Sequence, residues 1–144
     1  MYTSCVPEHR VAITKIDVGR RLYGGWAYVA KDKAGAQKID HGGDVVDDLS
    51  WPAMEASFVD YALESRGGDL DHTTFGASRM VEMFISTPER REALGIPDGV
   101  LPDRGVYVSY RADETPEGEA LWQDVLKGKA RLSIVGSGRR EPIT

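Results

Sequence analysis

Three histidines, at positions 9, 41 and 72, are the whole supply of imidazole in this chain. A nucleophilic hydrolase with a histidine base must therefore use one of them. His72 stands in GGDLDHTTFG at the start of an expected strand, and His41 stands in the loop IDHGGD, while His9 falls in an N-terminal stretch without regular pattern. Ser133, in RLSIVGSG, is a small hydroxyl between Leu132 and Ile134, and the glycines after it could expose backbone N–H groups to an oxyanion. Glu82 interrupts the apolar run Met80-Val81-Glu82-Met83-Phe84-Ile85, where a buried carboxylate needs a partner. If a hairpin turns about Ala77, Glu82 faces His72 across the strands and can orient and charge-stabilise the imidazole. An ion pair of Glu82 with Arg79 or Arg131 is the structural rival, and a surface histidine and a strand serine are the ordinary readings of the other two positions.

Other constellations point to other chemistries. Asp40, His41, Asp44, Asp47 and Asp48 collect metal-ligating side chains, but their spacing matches neither H-E-x-x-H nor a calcium loop. The glycine pairs come without the lysine of a phosphate-binding P-loop, and no G-x-S-x-G elbow is present. Cys5 is the single cysteine, which excludes an internal disulfide. Arg139-Arg140 could steady an oxyanion or simply be a solvated basic end.

The elements that must position these residues are legible as alternations and caps. Residues 11 to 18 and 22 to 30 read as strands, the second carrying Gly24-Gly25 where a bulge or a closely passing backbone is expected. Residues 31 to 43 read as a polar loop. Ser50 is positioned to cap a helix whose apolar face is Trp51, Met54, Phe58 and Tyr61 or Ala62, and Gly67-Gly68 stops it. Residues 69 to 75 and 79 to 86 read as two strands joined by a turn at Gly76-Ala77. Thr87-Pro88 opens a short helix closed by Gly95, and Val106, Val108 and Tyr110 alternate as a strand. Thr115-Pro116 opens a helix with Leu121, Trp122, Val125 and Leu126, and a last strand spans 130 to 136. The order predicts an α+β fold: a mainly antiparallel β-barrel or strongly curved sheet flanked by two or three helices.

Composition bounds the rest. At 144 residues and 15.8 kDa, with 41% hydrophobic and 28% charged residues and a mean hydropathy of -0.36, one globular domain over residues 1–144 is expected, its first ten residues loose. No run is apolar enough to span a bilayer, and MYTSCVPEHR lacks the order of a signal peptide, so a cytoplasmic location is expected. Eighteen basic against 23 acidic residues, a net charge of -5, argue against nucleic acid as a partner.

Taken together, YGGWAYVAKD, HGGDVVDD, a helix ending before LDH, MVEMFISTPERREALGIP, GVYVSYRADE and VLKGKARLSIVGSG resemble the XkdF-like serine protease family of tailed phages, relatives of the prohead proteases. The resemblance covers residues 16 to 140. It implies a herpesvirus-protease-like fold, with a β-barrel surrounded by helices as in the assemblins, and a serine endopeptidase that cuts scaffolding, capsid or portal proteins during head maturation. The implied location is the immature prohead in the host bacterial cytoplasm, with no cofactor, no nucleic acid or membrane partner, and homo-oligomerisation by analogy. Carried onto this sequence, the implied catalytic residues are Ser133, His72 and Glu82, with His41 a rival to Glu82 because the third assemblin member is a histidine. A non-catalytic head-assembly or scaffold-binding module with the same fold is the alternative, and a metal-dependent hydrolase centred on His41 and Asp44 is a third reading.

Overall fold

The computed structural model describes residues 4–5, 8–11, 13–39, 43–64, 67–70, 74–129, 132–135 and 138–139. In chain order the elements are β1 (Ser4–Cys5), β2 (Glu8–Val11), β3 (Lys15–Asp17), β4 (Leu22–Lys31), α1 (Trp51–Glu64), β5 (Gly67–Leu70), β6 (Thr74–Ser86), α2 (Pro88–Leu94), β7 (Arg104–Ala112), α3 (Pro116–Leu126), β8 (Leu132–Val135) and β9 (Gly138–Arg139). The architecture is α+β, with three helices and an antiparallel sheet in the order β3-β4-β7-β6-β5.

Alternation decides which face of that sheet is core. In β7, Val106, Val108, Tyr110 and Ala112 are buried, while Tyr107 is half-buried and Arg111 exposed, as period-two side chains require. Tyr23, Met80 and Ile85 join the inner set, and Trp51 and Phe58 from α1 with Leu121, Trp122 and Val125 from α3 complete the core. Buried hydroxyls are paired: Tyr23 with Ser78 at 2.6 Å, and Tyr61 of α1 with Tyr110 at 2.7 Å.

The caps of α2 and α3 form as their sequences direct. Thr87 and Thr115 accept from the Arg90 and Gly118 amides, a proline follows each, and Gly95 takes the left-handed conformation at φ 70°. At α1 the cap is shifted from the expected Ser50. Asp47 Oδ1 accepts the Ser50 amide at 2.8 Å, and the Asp47 carbonyl accepts the Trp51 amide at 2.9 Å, so the aspartate three residues earlier closes the turn that leads in.

Of the two expected forms, a barrel or a strongly curved sheet, the barrel is corrected: the antiparallel sheet is not closed. β2 pairs with β8 and β1 with β9, each as a separate two-stranded ribbon, and among the described residues no ladder joins either ribbon to the five-stranded sheet. The β2–β8 ribbon nevertheless lies against both β4 and β5, near the two sides of the sheet. Within the segment expected to be loose, the described residues Ser4–Cys5 and Glu8–Val11 pair as strands. Among the described residues no helix is long and apolar enough to cross a membrane.

Two irregularities in β6 differ from the expected hairpin. The strand runs unbroken from Thr74 to Ser86, and Gly76-Ala77 is no turn; there the β5–β6 register shifts, from Asp69 opposite Phe75 to Gly68 opposite Ser78. One further extra residue, Val81, sits between Met80 (opposite Tyr110) and Glu82 (opposite Ser109). That bulge reverses the phase of the strand: Ser78 and Met80 point inward before it, Ile85 after it.

Candidate functional site

The bulge at Val81 is what turns Glu82 outward. In phase with Met80 it would enter the core; one added residue leaves Val81 49% exposed and puts Glu82 on the outer face. There Ser109 donates its hydroxyl to Glu82 Oε1 at 2.8 Å. Ser109 is itself only 3% exposed, so this bond holds the carboxylate in one direction from below.

Register aligns four residues across four strands: Lys15 of β3 opposite Gly24 of β4, Gly24 opposite Ser109 of β7, and Ser109 opposite Glu82 of β6. A cleft of about 250 Å³ lies over this row, lined also by Asp17, Arg20, Leu22 and Tyr23. Gly24 forms its floor because nothing larger fits: a Cβ there would stand 2.6 Å from the Val108 carbonyl oxygen and 2.7 Å from Ser109 Cβ. On the β3 side Asp17 accepts from the Arg20 amide and guanidinium, both at 3.0 Å, which holds its carboxyl below the usual range and sets these two charges against each other. One row farther along, Trp26, Tyr107 and Phe84 are aligned and half-buried, Trp26 and Tyr107 edge to face at 5.7 Å.

The residues singled out in the sequence are distributed differently. Ser133 lies in β8 with its backbone opposite Arg10, and β8 lies against β5. His72 follows β5 by two residues and, like His41, Asp40, Arg131, Gly136 and Arg140, lies outside the described residues. The expected alignment of Glu82 with His72 depends on a turn at Ala77 that does not form, since β6 is continuous there. His72 itself lies outside the described residues, and Glu82 is eight residues beyond Thr74, about 26 Å of extended strand. Nor does Arg79 face Glu82; it stands opposite Arg111. His9 is in β2 opposite Ile134, Cys5 in β1 opposite Gly138, and Arg139 in β9 opposite Ser4.

Two members of the acidic cluster, Asp47 and Asp48, have structural roles. Asp47 caps the approach to α1, and Asp48 pairs with Lys31 at 2.9 Å and with Arg104 at 3.3 Å. These contacts lower both carboxyls: the Ser50 amide foremost for Asp47, the Lys31 ammonium for Asp48. Among the described residues no three histidine, cysteine, aspartate or glutamate side chains converge as a metal site.

Two residues that matter were not singled out in the sequence. Ser109 was legible as an outward position between inward Val108 and Tyr110. Arg91, 2% exposed, had no such signal; it donates to Ser86 Oγ and the Pro102 carbonyl, each at 3.2 Å, to the Asp103 carbonyl at 2.7 Å and to Asp103 Oδ1 at 2.8 Å. Comparison of the chain with family models, curated proteins and solved structures finds no match to any of them.

Proposed function

We propose that this chain is a serine endopeptidase of the phage prohead type, cutting scaffolding, capsid or portal proteins inside the immature capsid. Ser133 Oγ attacks the peptide carbonyl carbon while the His72 imidazole takes its proton. The C–N bond then breaks as His72 returns the proton to the leaving amine, and water hydrolyses the resulting acyl-enzyme by the same route. Backbone N–H groups following Ser133 would hold the oxyanion, each worth about 3 kcal/mol in characterised enzymes.

The observation that supports the reading is the approach of β8, which carries Ser133, to β5, which ends two residues before His72. The strand register gives no support to Glu82 as the group that orients His72. The proposed chemistry therefore rests on serine and histidine, and His41→Ala against Glu82→Gln separates the rivals for the third role: loss of kcat follows the orienting group.

The test is co-expression of the wild-type chain or Ser133→Ala with the neighbouring scaffold and capsid proteins, followed by intact-mass spectrometry. Truncated products with the wild type alone are the expected result and give the cleavage sites. Equal, intact masses in both, with the chain still bound to scaffold, would replace this proposal with the non-catalytic assembly module.

A further inference from the structure

The cleft over Gly24 and Ser109 sets Glu82, one of the two rivals for the third catalytic role, among features which that role does not use. Its floor is a glycine that admits no side chain and a buried serine whose hydroxyl is committed to Glu82. One wall is the Glu82 carboxylate, exposed and fixed from beneath. The opposite wall is β3, where Arg20 and Asp17 offset each other and Lys15 adds a donor at the end of the row. Three strand spacings separate Lys15 from Glu82, about 14 Å between backbones, a span that an extended peptide covers with four or five residues' worth of side and main chain at roughly 3.3 Å each.

We infer that this cleft is a recognition site for a peptide segment carrying a lysine or arginine, whose cation is received by Glu82. A cationic head on an aliphatic stem suits both the carboxylate and the neighbouring row of Trp26, Tyr107 and Phe84, along which the stem and an adjoining apolar side chain can pack. Lys15 donates to a main-chain carbonyl of the same segment and disfavours a second cation at that end. Ser109 is a positioning residue: it touches no ligand and acts by fixing Glu82. The choice of a peptide rests on the peptidase reading; the charge preference rests on the cleft.

The experiment is an NMR titration of the isotope-labelled full chain in the Ser133→Ala form, so that cleavage cannot deplete the probe. The probes are acetyl-glycyl-leucyl-lysyl-glycinamide and the same peptide with norleucine in place of lysine. Saturable amide shifts centred on Gly24, Ser109 and Glu82 are expected with the lysine peptide in the millimolar range, with at least tenfold weaker binding of the norleucine peptide. Glu82→Gln should remove that discrimination, and Ser109→Ala should reduce it several-fold while spectra away from the cleft stay unchanged. Equal binding of the two peptides to the parent chain, shifts centred elsewhere, or no binding overturns the inference without need of any cleft variant. Cleft binding together with identical masses in the co-expression assay would sink the peptidase alone; cleavage without charge discrimination would sink the cleft alone.

Discussion

A guanidinium with 2% exposure is a costly thing to bury, and Arg91 is held there by carbonyls, a hydroxyl, the Asp103 carboxylate and, at 3.6 Å, the Asp98 carboxylate. Its donors gather the end of β6, the loop before β7 and α2 into one node. Removing the guanidinium leaves the Asp103 carboxylate and carbonyl without this donor, while the Pro102 carbonyl keeps the Ser86 hydroxyl at 2.7 Å. Arg91→Met is therefore expected to lower stability by about 3 kcal/mol, read from the midpoint of urea unfolding with an unchanged slope. An unchanged midpoint would mean that water replaces the guanidinium at no cost. The same scale explains why Glu82 and Arg91 read so differently in the sequence. Glu82 was conspicuous because it broke an apolar run, whereas Arg91 sits among charged neighbours in PERREAL and shows no sign of being the buried one.

Among the elements, the helix caps were readable and the bulges were not. Thr87-Pro88 and Gly95 are local instructions, satisfied by hydrogen bonds within a few residues. Asp47 and Ser50 are both good cap residues, and the choice between them falls to how the chain enters α1 from the preceding segment. That choice has a pH signature. The Asp47 carboxyl is held below its ordinary value in the folded chain, so its contribution is fully present above the unfolded value, near pH 4, and is lost as pH falls through the lower folded one. Asp17, Asp48, Glu89 and Glu119 shift in the same direction. Thermal midpoints are accordingly expected to stay level from pH 7 to about 5 and to fall below about 4, with Asp47→Asn shallower in that lower range. Parallel curves for the two chains would remove Asp47 from the α1 cap. The Val81 bulge has no comparable local signal, because an extra residue in β6 is defined only against the register of β7.

For the whole molecule, the first two and last two described strands are joined in space. β1 pairs with β9 and β2 with β8, so the strand carrying Ser133 depends on residues from the opposite terminus. A chain lacking residues 1–11 is expected to lose protection of the amides of residues 132–135 in hydrogen exchange and to unfold at a lower temperature. Full protection of those amides in the shortened chain would mean that contact with β4 and β5 alone holds β8. What the sequence determined by itself was local: three helices and the caps of two of them, the alternation in β7 that made Val106, Val108 and Tyr110 core, and a bulge or close approach at Gly24-Gly25, because each depends on neighbours within one turn or on the absence of a side chain. The tertiary structure alone decided that the sheet stays open, that Gly76-Ala77 is a register shift within one long strand, and that Glu82 faces Ser109 outside the core. Those are relations between strands, set by register rather than by the pattern within one strand, and a single inserted residue reverses every side chain beyond it.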